Sequence, residues 1–93
     1  MNPVGIADRP RLAARARLKW DEREKRHVLL FPEAALVLNA TAAETLKLCD
    51  GIRTVGAIID ELCARFGEQN RAAIAEHVPE LLGRIRERGL VET

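Results

Sequence analysis

Apolar and polar residues alternate from Arg15 onward. Ala16, Leu18 and Trp20 fall between Arg15, Arg17 and Lys19, a period of two that predicts a half-buried strand. The charged stretch Asp21 to Arg26 reads as a loop. His27-Val28-Leu29-Leu30-Phe31 is a second strand, stopped at Pro32, because proline cannot donate to a ladder. The two strands should pair as a hairpin. A third run, Ala35-Leu36-Val37-Leu38, ends at Asn39, and so short a separation from Phe31 favours an antiparallel three-stranded meander.

Helical spacing takes over next. Thr41-Ala42-Ala43-Glu44 has the form of a capping box, in which hydroxyl and carboxylate each satisfy an orphan amide. The helix it opens carries Ala42, Thr45, Leu46 and Cys49 and stops at Asp50-Gly51. Thr54 reads as a second N-cap, followed by Val55, Ile58, Ile59, Leu62, Cys63 and Phe66 at steps of three and four, one apolar stripe. A third pattern, from about Arg71 to Arg88, repeats Ile74, Val78, Leu81, Leu82 and Ile85. Pro79 either kinks that helix or lies in the first turn of a shorter one beginning near His77. Gly89 suits a helix C′ position, and Leu90-Val91 should fold back onto the core. Residues 1–14, with Pro3, Gly5 and Pro10, show no period and read as an extended N-terminal arm before a domain spanning 15–93. Three strands followed by three helices make an α+β domain of winged-helix-like build.

Composition narrows the function. The 93 residues suffice for one core. A net charge of +1 lacks the general basic footprint of a nucleic-acid binder, and 3% aromatics leave almost nothing for base stacking. The longest apolar run is Ala34 to Leu38, far short of the roughly 20 residues that span a bilayer. Met1 to Gly5 lacks the basic and apolar regions of a secretory signal. The expectation is a soluble, cytoplasmic protein with free thiols and no membrane partner.

Catalytic chemistry is scarce. Serine is absent, which removes serine nucleophiles. Cys49 and Cys63 sit on apolar helix faces, where cysteine behaves as a small hydrophobe. His27 and His77 form no familiar zinc spacing with them. The six glycines are scattered singly, so no phosphate loop is present. Neither an enzyme nor a metal or cofactor site is expected. What remains is a surface. The run Ala35 to Leu38 carries no charge; it is either a covered central strand or an open edge on which a peptide could add as a further strand. A winged-helix DNA-binding regulator is the alternative on a similar scaffold. It needs a basic recognition helix, whereas the second helix sets Asp60 and Glu61 against Arg65.

Six blocks, in order, make a family resemblance. They are Arg9-Pro10-Arg11-Leu12-Ala13, Arg17-Leu18-Lys19-Trp20-Asp21, Leu29-Leu30-Phe31-Pro32-Glu33, Leu38-Asn39-Ala40-Thr41-Ala42, Leu48-Cys49-Asp50-Gly51-Ile52-Arg53-Thr54-Val55 and Arg88-Gly89-Leu90-Val91. Over residues 9–91 the chain resembles the PqqD family of pyrroloquinoline quinone (PQQ) biosynthesis. The resemblance implies a winged-helix-like recognition fold that performs no chemistry itself. It implies a chaperone that binds the precursor peptide PqqA by strand addition and presents it to the radical S-adenosylmethionine enzyme PqqE. Carried onto this chain, the peptide strand lies on Leu36, Val37 and Leu38. Val78, Leu81, Leu82 and Ile85 are the candidate groove residues, and Arg84 and Arg88 are candidate partners for acidic peptide side chains. The uncharged edge also leaves room for strand exchange into a homodimer.

Overall fold

A computed structural model describes residues 3–93. Its elements are β1 (Arg11–Leu12), β2 (Arg17–Asp21), β3 (Arg26–Phe31), β4 (Ala34–Val37), α1 (Ala40–Lys47), α2 (Val55–Phe66), a 3₁₀ turn (Glu68–Asn70), α3 (Arg71–Glu87) and β5 (Val91–Glu92). This is the expected α+β order: a three-stranded antiparallel sheet β2-β3-β4, then three helices. A second, two-stranded sheet joins β1 to β5, with Arg11 opposite Glu92 and Leu12 opposite Val91.

Local chemistry sets the hairpins. The Asp21 carboxylate accepts from the amides of Arg23 (3.0 Å) and Glu24 (3.2 Å), an Asx turn that reverses the chain. In register, Leu18 faces Leu29 and Leu29 faces Leu36, so one row of leucines crosses the sheet. Leu29 is fully buried and the other two are half-buried against the core. The helices supply the rest of that core through Leu46, Ile58, Leu62, Val78 and Leu82.

Helix α1 starts earlier than the capping-box pattern suggests. Asn39, not Thr41, is its N-cap: Asn39 Oδ1 accepts from the Ala42 amide at 2.8 Å. Asn is a stronger cap than Thr, and it lies two residues upstream. Thr41 is inside the helix, where its carbonyl accepts from Thr45 Oγ1 (2.8 Å), and Glu44 pairs with Lys47 and Arg65 instead. Thr54 does cap α2, through the Ala57 amide.

The preceding segment completes the start of α2. The amides of Val55 and Gly56 donate to the carbonyls of Asp8 (2.9 Å) and Ile6 (3.0 Å). The helix thus begins with its orphan donors satisfied by another stretch of backbone rather than by water.

Helix α3 runs unbroken through Pro79. Proline there removes one intrahelical donor, at a cost of about 3 kcal/mol. Burial of Ile74, Val78, Leu82 and Ile85 on one face offsets it, since each such side chain contributes roughly 1.5–3 kcal/mol. The helix ends where Gly89, at φ +74°, takes the left-handed conformation. Gly89 donates to the carbonyl of Arg86, and Leu90 to that of Ile85, a Schellman motif that turns the fully buried Leu90 back into the core.

Candidate functional site: an unpaired strand edge beside helix α3

The sheet has two edges of different character. The outer strand β2 carries Arg17 and Lys19, both exposed, and such charges guard an edge against pairing. The other edge is β4, Ala34-Ala35-Leu36-Val37, with no charge. Among the described residues it pairs with β3 alone.

The register determines which groups face outward. The Leu38 amide donates to the His27 carbonyl at 3.0 Å. Val37 stands opposite Val28, and Leu36 opposite Leu29. Hydrogen-bonded and non-hydrogen-bonded pairs alternate in an antiparallel ladder. Leu36 therefore turns its N–H and C=O toward β3, while Ala35 and Val37 turn theirs away. The open edge offers two donors and two acceptors.

Beside that edge lies a groove of about 280 Å³. Leu36 and Val37 form one wall; Leu81, Arg84 and Ile85 of α3, with Arg88 just beyond its end, form the other. It runs on into a hollow of about 330 Å³ between α1 and α3, where Thr41, Thr45, His77, Val78 and Glu80 are found. Asn39, Ala42, Leu81 and Arg84 line both. Val37 is 57% exposed, a large fraction for a β-branched apolar side chain in a strand.

Of the residues singled out from sequence, Leu36, Val37, Leu38, Leu81, Arg84 and Ile85 meet in this one groove, and Val78 lines the adjoining hollow. Leu82 lines neither; it is fully buried in the core. Arg88 joins Arg84 on the rim. Among the described residues no ion pair involves either of these two arginines. Asn39, Thr41, Ala42 and His77 were not foreseen as lining residues. Their place follows from α1 packing beside α3, a long-range contact that local pattern does not announce.

Both thiols are shielded. Cys49 and Cys63 are free and buried, and Cys49 donates to the Thr45 carbonyl. Burial, with a smaller contribution from the neighbouring Asp50 charge, pushes the Cys49 thiol up to about 12, so it holds its proton at neutral pH. Among the described residues no group of three or more His, Cys, Asp or Glu side chains could hold a metal ion. No helix among them is long and apolar enough to cross a membrane.

Fold and groove describe a small α+β binding domain. Residues 26–91 match the family described as Coenzyme PQQ synthesis protein D (PqqD), and the chain belongs to that family. It is 42% identical over 88 residues to the PqqA binding protein of Rhodopseudomonas palustris (strain TIE-1), covering 95% of this chain and 85% of that protein. The PqqA binding protein of Azotobacter vinelandii is 38% identical over 92 residues, covering 99% and 98%. The solution NMR structure of the PqqD truncation of Methylobacterium extorquens PqqCD superposes over the full length of both chains with a TM-score of 0.80 and 32% identity. That protein is described as a functional, stand-alone recognition element for ribosomally synthesized and post-translationally modified peptides (RiPPs).

Proposed function

We propose that this chain binds the PQQ precursor peptide PqqA as an added strand along β4 and presents it to the radical S-adenosylmethionine enzyme PqqE. The observation that carries the reading is the uncharged outer edge of β4, with the outward groups of Ala35 and Val37 beside a groove walled by Leu36, Val37, Leu81 and Ile85 and rimmed by Arg84 and Arg88. An extended peptide draws affinity from such main-chain pairing and specificity from alternate side chains in the groove. Arg84 and Arg88 on the rim suit a guest with acidic side chains. The relatives' role as PqqA binding proteins supports the identity of the guest. The shielded thiols leave the chemistry on that peptide to an enzyme partner, as the family resemblance implies for PqqE.

The test is an NMR titration of the ¹⁵N-labelled protein with synthetic PqqA. Amides of Ala35 and Val37, with those of Leu81 to Ile85, should move most. Perturbations confined to β2 or to the β1–β5 sheet would overturn the reading.

A further inference from the structure

The groove does not end at α1. A third cleft, of about 270 Å³, lies where the end of α2 meets α3, lined by Thr41, Phe66, Asn70, Ala73, Ile74 and His77. Thr41 and His77 line the hollow between α1 and α3 as well. One furrow therefore runs from β4 along α3 to Phe66. At its far end Phe66 is 38% exposed, whereas Ile74 is 5% exposed: an apolar floor under a half-open aromatic wall. Phe66, Ala73 and Ile74 give the cleft an apolar side; of its polar residues Thr41, Asn70 and His77, Asn70 already donates to the Phe66 carbonyl, and none carries the fixed charge of the arginine rim beside β4.

Resting on the strand-addition reading, we propose that the same guest peptide seats a large apolar side chain in the Phe66 cleft as a second anchor. The spacing follows from helix geometry. Leu81 and Ile74 are seven positions apart on α3, about 10 Å at 1.5 Å per residue, which an extended chain covers in about three residues. The meander is antiparallel throughout, and a guest continuing that alternation runs against β4. Because the furrow leaves β4 at its Asn39 end, the anchor lies on the N-terminal side of the paired stretch, about three residues upstream of the residue that meets Leu81.

The experiment is fluorescence anisotropy with fluorescein-labelled synthetic PqqA, against wild type and the variants Phe66→Ala, Ala73→Trp and Val37→Pro, each checked for folding by circular dichroism. Phe66→Ala removes the wall and Ala73→Trp fills the cleft from an exposed position. Each should weaken binding about five- to twentyfold, as loss of one buried apolar contact does. Phe66→Leu, which keeps apolar bulk, should recover most of the affinity. Phe66→Ala should cost nothing further when the peptide's own anchor is replaced by alanine. If Phe66→Ala and Ala73→Trp bind within about twofold of wild type while Val37→Pro does not, the second anchor is refuted and strand addition stands. If Val37→Pro also binds like wild type, the groove reading fails and the anchor with it.

Discussion

The guanidinium of Arg15 donates to the main-chain carbonyl of Arg88 at 2.8 Å, tying the entry to β2 to the last turn of α3. Its other terminal nitrogen meets Glu33 Oε2 at 3.2 Å, in the turn between β3 and β4. One side chain thus bridges the sheet and the helix that form the two walls of the groove. A cation at a helix C-terminus is favoured by the unpaired carbonyls there.

Replacing Val37 with proline should weaken PqqA binding at least about tenfold, through the lost donor and the ring's bulk at the edge. The domain should still fold. The Val37 N–H points away from β3, so no internal bond is lost, and edge strands tolerate proline for that reason. Anisotropy titration and a thermal melt of the same sample check both halves.

Reversing charge on the rim should act through salt. Arg84→Glu together with Arg88→Glu should reduce affinity for PqqA about tenfold or more in dilute buffer, with the gap to wild type narrowing as salt rises toward about 0.5 M. Titrations at three salt concentrations measure it. An unchanged gap across that range would mean the arginines act by packing rather than charge.

Pro79 lies inside α3 but lines neither the groove nor the hollow beside it. Pro79→Ala should restore the missing helical donor and stabilise the fold by about 1–3 kcal/mol, a midpoint several degrees higher by calorimetry. PqqA affinity should stay within twofold.

Acid sensitivity should report on the turn before α2. Asp50 Oδ1 accepts from the amides of Ile52 and Arg53, both at 2.9 Å, and Oδ2 from the Arg53 guanidinium at 2.7 Å. The Arg53 and Ile52 amides, with the Arg53 charge, hold its carboxyl below the usual range. A depressed folded-state value means this contribution is complete above the unfolded value of about 3.9 and drains away as pH falls through the folded one. Urea midpoints should therefore fall less steeply below about pH 4 in Asp50→Asn than in wild type, while the variant starts from lower stability at pH 7.

Much of the architecture follows from local pattern. The period of two around Leu18 and Trp20, the cap at Thr54 and the left-handed Gly89 each declare a neighbourhood of a few residues, and the structure agrees on the strand, the cap and the turn, although Trp20, expected on the buried face, is 45% exposed. Long-range pairing is what local pattern omits. Nothing near Leu12 announces that it will face Val91, nor that Asp8 will accept from the first amide of α2, since both depend on the finished packing. Leu82 and Leu81 are adjacent and equally apolar, yet a helix turns them by about 100°. One enters the core and the other lines the groove. Periodicity identified the helix but not which leucine a guest would meet. The capping-box pattern at Thr41 points to the wrong start for α1 because Asn39, the stronger cap by residue type, stands two residues upstream.

The bareness of β4 has a cost for the idle molecule. With neither lysine nor proline along Ala34 to Val37, nothing there rejects a stray strand, another copy of the same chain included. On the proposed strand addition, an unoccupied subunit kept concentrated would pair with its own kind, and supplying the guest during production should improve recovery by keeping that seam zipped.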